Sequence, residues 1–235
     1  MEFIPEDFEN RIKYTFHNKN LLQQALTHSS FTNEQKINRK PNYERLEFLG
    51  DAVLEMVSSE FLFHRYPHEK EGTLSKMRAS MVCEPSLAFC AREIGLENFI
   101  FLGKGEEQTG GRDRDSIVSD VMEAVIGAIY LDGGIEQAKK YILSYVLNDL
   151  ENKTLFYDSK SNLQELAQGK LKQEVKYKIV ENTSHLPEEL FKAEVYLDSV
   201  LYAEGKGRTK KAAEAEAAYK ALLVLRDKGY VFKKY

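Results

Sequence analysis

Cysteine is scarce. The chain holds only Cys83 and Cys90, and their spacing matches neither a zinc site nor a redox pair. They read as small core residues with free thiols, which suits a reducing compartment and excludes a disulfide-stapled scaffold. No stretch approaches the ~20 consecutive apolar residues of a membrane span. The opening Met1-Glu2-Phe3-Ile4-Pro5-Glu6-Asp7 has no basic segment followed by an apolar one, so no secretory signal is expected. A phosphate-binding loop is missing too. Gly103-Lys104-Gly105-Glu106 and Gly110-Gly111-Arg112 lack the Gly-Lys-Ser/Thr ending and the preceding strand. These absences predict a cytoplasmic globular protein with no membrane partner.

What is present fits that class. The 235 residues are 43% hydrophobic and 30% charged, enough for one large domain or two modest ones. The net charge of −4 is unevenly spread: residues 156–235 carry 15 Lys+Arg against 12 Asp+Glu, and residues 1–155 carry 18 against 25. An acidic body with a mildly basic tail is consistent with a metal site joined to a polyanion-binding module.

The central stretch is Glu44-Arg45-Leu46-Glu47-Phe48-Leu49-Gly50-Asp51, continuing into Ala52-Val53-Leu54. At about 100° per residue of helix, Glu44, Glu47, Asp51 and Glu55 share one side. Leu46, Leu49, Val53, Met56 and Val57 are expected on the opposite, core-facing side. The simplest account is an amphipathic helix with a solvated acidic face. Two residues oppose it. Phe48 projects toward the acidic side, where a large ring needs a cover. Gly50 sits mid-helix at a cost of about 1 kcal/mol relative to Ala, which implies a close approach by a neighbour.

A second stretch, Ser119-Asp120-Val121-Met122-Glu123-Ala124-Val125-Ile126-Gly127-Ala128-Ile129, is apolar all round and so predicts a buried helix. Asp120, Glu123, Ala124 and Gly127 share one narrow face. Asp120 alone is explicable as an acid near a helix N-terminus. Glu123 is not, and no Lys or Arg in the helix pairs with it. Four carboxylates on two apolar helices, without His or Cys, suit a hard divalent cation, Mg²⁺ first and Mn²⁺ as a substitute. Such sites activate water and stabilise the leaving oxygen in phosphodiester hydrolysis.

Asn42-Tyr43-Glu44-Arg45-Leu46-Glu47-Phe48-Leu49-Gly50-Asp51-Ala52-Val53-Leu54 resembles the defining motif of the ribonuclease III family, and Asp120-Val121-Met122-Glu123-Ala124 resembles its second acidic motif. Tyr43 is a departure: it stands between Asn42 and Glu44, where the family pattern runs Asn-Glu directly. The Glu47 to Asp51 spacing is untouched. The resemblance implies metal ligation by Glu47, Asp51, Asp120 and Glu123, with Asp51 and Glu123 as the catalytic pair and Glu44 and Glu71 as secondary acids. It also implies a homodimer, with Phe48 as the candidate interface residue.

Along the chain, helices are expected at residues 6–17, 20–28, 44–66, 85–94 and 135–150, with another opening at Glu71 behind a Thr73 N-cap. Loops are expected at 32–41 and 99–115. His64 and His68 stand four apart, but Pro67 between them leaves surface imidazoles rather than a metal pair. Lys76 and Arg78 are either RNA-phosphate contacts or solvated charges. The first domain is therefore an all-α endonuclease bundle at 1–150, followed by a linker at 151–157.

The pattern then changes to helix, three strands, helix over 158–228. Alternation marks strands at 176–180, 191–197 and 200–205, with Asp198-Ser199 as a tight turn. The last helix opens on Gly205-Lys206-Gly207-Arg208-Thr209-Lys210-Lys211, where cations oppose the helix dipole unless an anion sits among them. This α-β-β-β-α module resembles a double-stranded RNA-binding domain. A-form RNA hides its major groove from side chains, so such a domain straddles the duplex. The resemblance implies phosphate contacts by Lys206, Arg208, Lys210 and Lys211, and 2′-hydroxyl contacts by Gln164 and Glu165. His185 is the groove candidate in a strand 1–2 loop longer than the family's usual one.

The expected activity is Mg²⁺-dependent endonucleolytic cleavage of double-stranded RNA, leaving 5′-phosphate and 3′-hydroxyl ends with short 3′ overhangs, as in rRNA and mRNA maturation. The alternatives are a non-catalytic double-stranded RNA-binding protein on a degenerate nuclease fold, and a Mg²⁺-dependent hydrolase of small phosphoesters.

Overall fold

The computed structural model describes residues 5–35, 41–148, 159–180, 191–207 and 209–230. The chain divides into two compact units, Met1–Asn148 and Asp149–Tyr235. The expected linker at 151–157 lies outside the described residues.

The first unit is helical. Helix α1 (Pro5–Ile12) buries Phe8 and Ile12 and is followed by Lys13 in a left-handed conformation (φ 53°), which stops it short of the expected residue 17. Helix α2 (Lys19–Ala25) is capped by the Asn18 side chain, which accepts from the Asn20 amide at 3.1 Å. A further helix, α3 (Ser29–Glu34), occupies part of the stretch expected to be a loop. His28 caps it by accepting from the Ser30 amide at 3.1 Å.

Helix α4 (Glu44–Arg65) is the long acidic helix, and it ends at Tyr66, just before Pro67. Helices α5 (Glu71–Val82) and α6 (Glu84–Glu93) follow. Lys70 holds the N-cap position of α5, so Thr73 lies inside the helix rather than capping it. The expected 99–115 loop contains helix α7 (Lys104–Gln108) and a 3₁₀ turn at Gly111–Asp113. Ion pairs give this segment its shape: Arg112 meets Glu107, and Arg114 lies 2.9 Å from Glu106. Helix α8 (Asp115–Tyr145) holds both the second acidic motif and the expected last helix; its one break is Gly134 (φ 78°).

Helices α4 and α8 form the central pair of the unit. Val118, Val121, Met122, Val125, Ile126 and Ile129 of α8 are buried, as an apolar circumference requires. Leu46, Val53, Leu54 and Val57 of α4 pack inward. Met56 does not: it is 52% exposed, at the fringe of the stripe.

The second unit runs α9 (Ser159–Leu166), a π-helical turn (Ala167–Leu171), β1 (Val175–Val180), β2 (Phe191–Leu197), β3 (Val200–Gly207) and α10 (Lys210–Asp227). The sheet is antiparallel in the order β1-β2-β3. Ala193, Val195 and Leu197 of β2 point inward alternately and meet Leu163 and Leu166 of α9 and Ala217, Leu222 and Leu225 of α10. Asp198 (φ 55°) forms the β2–β3 turn, and its carboxylate accepts from the Glu174 amide at 2.9 Å. No helix of the described residues is long and apolar enough to cross a membrane.

Candidate metal centre and RNA interface

The acidic residues of the first unit meet because α4 and α8 touch at backbone distance. A Cβ on Gly50 would lie 1.8 Å from the Glu123 carbonyl oxygen, and one on Gly127 would lie 2.2 Å from that of Leu46. Only hydrogen fits at either position, so the mid-helix glycine answers to close approach. Glu47 and Asp51 flank Gly50 on α4, and Glu123 and Asp120 stand about one and two turns before Gly127 on α8.

Their electrostatics show that they share one environment. Burial first, then the charges of Asp51, Asp120 and Glu47, push the Glu123 carboxyl up to about 8. Burial and the charges of Asp120, Glu44 and Asp51 push Glu47 up to about 6. Burial also raises Asp51, with Glu55 adding to it. Burial raises Asp120 and the Glu84 charge adds to that, while a hydrogen bond from Tyr43 opposes it.

The set opens to solvent rather than lying in a dry interior. Asp51 and Glu44 are exposed, whereas Glu47, Asp120 and Glu123 are half-buried. The donors are all carboxylate oxygens, the chemistry that a hard divalent cation takes. Among the described residues, no three His, Cys, Asp or Glu side chains already form a closed coordination group.

The two secondary acids differ. Glu44 borders the set and raises Glu47 through its charge. Glu71 stands at the start of α5, where its carboxylate accepts from the Ser75 hydroxyl at 2.8 Å, and it is not among the charges that raise the four.

Three neighbours escaped the sequence reading. Tyr43 is buried at the α4 N-cap position, yet its side chain leaves the cap and donates to Asp120 Oδ2 at 3.2 Å. His28 packs its ring 5.6 Å from that of Tyr43 and feels the Asp120 and Glu44 charges, although burial leaves its pKa lowered. Glu84 of α6 acts on Asp120 by charge. The one signal in the sequence was the unusual placement of Tyr43 beside Glu44.

Helix α4 also presents an uncovered apolar stripe. Phe48 is 81% exposed and Phe63 67%, and with Met56 they follow one another along the same side.

In the second unit, Thr209 caps α10 by accepting from the Ala212 amide at 3.1 Å. Lys210 and Lys211 stand exposed on its first turn, and among the described residues neither is ion-paired. Lys206 is exposed near the end of β3, opposite Lys192 of β2. Gln164 and Glu165 are exposed on α9. His185 and Arg208 lie outside the described residues.

The Ribonuclease-III-like family profile matches residues 18–150, and the double-stranded RNA binding motif profile matches residues 159–225. Ribonuclease 3 of Staphylococcus aureus (strain bovine RF122 / ET3-1) is 47% identical over 214 residues, covering 89% of this chain and 88% of that protein. Ribonuclease 3 of Staphylococcus epidermidis (strain ATCC 12228) is 46% identical over 217 residues, covering 91% and 88%. Among solved structures, the nuclease domain of ribonuclease III from Campylobacter jejuni, described for flexibility in a region involved in its dimer formation, matches with a TM-score of 0.57 and 47% identity. That match covers 61% of this chain and 96% of the other. With a nuclease profile and an RNA-binding profile in the order its two units follow, and with such relatives along most of its length, the chain belongs to the ribonuclease III family of double-stranded RNA endonucleases.

Proposed function

We propose that the chain hydrolyses double-stranded RNA with Mg²⁺ held by Glu47, Asp51, Asp120 and Glu123. One observation carries this reading: burial, together with the charges of both Asp51 and Asp120, raises Glu47 on α4 and Glu123 on α8 across a glycine-permitted helix crossing. A protein keeps such mutual repulsion at a functional site rather than for stability. The family is generally metal-dependent. Mg²⁺, when bound, supplies the charge that stabilises phosphodiester cleavage by water, and Mn²⁺ is its natural substitute.

The chain's own groups do the rest. Asp51, on the exposed rim, is the carboxylate nearest to solvent and to an arriving backbone. Glu123, deeper, is the carboxyl that burial and its neighbours' charges push furthest up, to about 8, and it would be among the groups holding the cation. Lys210 and Lys211, at the N-terminus of α10, take phosphates of the duplex, and Lys206 and Arg208 are assigned the same role. Gln164, Glu165 and His185 are assigned to the minor grooves. Glu44, whose charge acts on Glu47, is assigned a secondary role at the rim of the acidic site, and Glu71 a secondary role as a further acid.

The products in this reading carry 5′-phosphate and 3′-hydroxyl ends with short 3′ overhangs, and the substrates are cytoplasmic rRNA precursors and mRNAs. Staggered cuts need two acidic sites, one for each strand, so the active form is a homodimer. The exposed Phe48, Met56 and Phe63 support this, because an apolar stripe of this kind calls for a covering surface.

The test is cleavage of a duplex RNA in Mg²⁺, in Ca²⁺ and in EDTA, beside a nucleotide ester in Mg²⁺. The duplex is expected to be cut in Mg²⁺ alone, with the ester untouched. Cleavage in EDTA would remove the metal from the reading, and ester hydrolysis would turn it toward a small-phosphoester hydrolase.

A further inference from the structure

We infer that Tyr43 is a positioning residue for the acidic site, its hydroxyl keeping the Asp120 carboxylate turned toward the start of α4. The inference rests on the reading of Asp120 as a metal ligand.

Among the described residues, the Tyr43 hydroxyl is the only side-chain donor found on any of the four carboxylates. Its place in the backbone makes that bond consequential. The Tyr43 carbonyl accepts from the amides of Leu46 at 2.8 Å and Glu47 at 2.9 Å, so Tyr43 opens the helix that carries Glu47 and Asp51. Its amide donates to the Thr27 carbonyl at 2.9 Å, which anchors that opening to the end of α2. One residue thus joins both halves of the set: the main chain starts α4, and the side chain crosses to α8.

The ring itself is confined. Tyr43 is 5% exposed, and the His28 ring lies 5.6 Å away at 44°. His28 is tied in turn to the Ser30 hydroxyl at 2.7 Å, and that hydroxyl accepts from the Gly103 amide at 2.9 Å. A buried phenol with a fixed ring has little freedom, so its hydroxyl defines where Asp120 Oδ2 sits. Without it, repulsion from Glu47 and Glu123 favours Asp120 rotating away. A neutral donor suits this position, because it orients the carboxylate and leaves its charge, where a lysine would compete with the cation. Groups that orient a ligand from outside the coordination sphere typically alter metal affinity by ~10–100-fold.

The experiment is calorimetric titration of Mn²⁺ alone into the full-length protein, comparing wild type, Tyr43→Phe and Tyr14→Phe, with melting curves as a check on folding. Tyr43→Phe removes one oxygen. It is expected to weaken Mn²⁺ binding ~10-fold or more. In duplex cleavage it should raise the Mg²⁺ concentration for half-maximal rate, while the rate at saturating Mg²⁺ stays within a few-fold. Tyr14→Phe removes the same oxygen from a hydroxyl that donates to Asp132 at 2.7 Å, outside the acidic site, and it is expected to leave Mn²⁺ affinity within ~2-fold. Unchanged affinity in Tyr43→Phe overturns the inference. So does an equal loss in Tyr14→Phe, which would mark general loosening rather than the Tyr43 hydroxyl. If wild type binds no Mn²⁺ at all, the metal reading falls first and this inference with it.

Discussion

Gly50 of α4 and Gly127 of α8 lie against each other at the helix crossing: a Cβ on Gly50 would stand 3.0 Å from the Gly127 nitrogen, and one on Gly127 would stand 3.1 Å from the Gly50 nitrogen. The obstacles are backbone atoms, which cannot swing aside. Gly50→Ala is therefore expected to destabilise the first unit by about 3 kcal/mol, the upper range for overpacking. That corresponds to a Tm lower by about 6–12 °C. It should also part the two acidic pairs and reduce cleavage. An unchanged melting temperature would mean that the helices separate at little cost.

Glu123 is the deepest of the charge-coupled acids, so Glu123→Gln removes a proposed ligand without a change of shape. The cleavage rate is expected to fall by ~10²–10⁴, the value of several kcal/mol of charge stabilisation. Duplex affinity should hold within ~2-fold, because the second unit is untouched. Filter binding beside a cleavage time course reads both quantities. Undiminished cleavage would favour a site elsewhere.

The raised carboxyl pKa values have a sign in stability. Glu47 near 6 and Glu123 near 8 hold protons in the folded chain that the unfolded chain, near 4.5, has already released. Their stabilising effect is full below pH ~4.5 and disappears as pH rises through 6 and then 8. Scanning calorimetry in EDTA should show the wild-type Tm falling between pH 7 and 9 more steeply than that of Glu123→Gln. Added Mg²⁺ should stabilise the wild type more at pH 8.5 than at pH 6, since it must displace those protons. Parallel pH slopes for the two proteins would contradict this account.

Phe48 is 81% exposed among the described residues. Phe48→Glu should leave the protomer folded, as surface substitutions do, and lower Tm only by what dimerisation contributes. It should shift the protein toward monomer in sedimentation velocity at dilute concentration. The same sedimentation profile for variant and wild type would place any interface elsewhere.

Lys210 and Lys211 stand on the first turn of α10, where helix dipole and side chain both attract phosphate. Replacing both with Ala is expected to weaken duplex binding and to lower the slope of log affinity against log salt by ~1–2. An unchanged salt slope would mean that neither lysine neutralises a phosphate.

Much of this was legible in the residue order. The mid-helix glycine in an acidic stretch announced a close approach, and Gly127 turned out to be the other half of it. Alternation in Ala193, Val195 and Leu197 marked the central strand, because a half-buried sheet admits no other period. Short elements were not legible. Helix α3 and the segment through Phe101 depend on bonds between distant residues, such as the Phe101 amide to the Leu26 carbonyl at 2.8 Å. Periodicity over six residues cannot announce them. Met56 lies at the edge of the α4 stripe, where helix angle alone does not say whether a neighbour covers it.

The amino-acid order alone determined the acid set, the helical first domain and the strand-rich second, since residue type and spacing carry that information along the chain. The tertiary structure decided that two pairs of carboxylates share one environment, that this environment opens to water, and that a tyrosine from the head of one helix grips an aspartate on another. Those facts depend on distances between segments up to 77 residues apart, and a linear pattern does not encode such distances until the helices have packed.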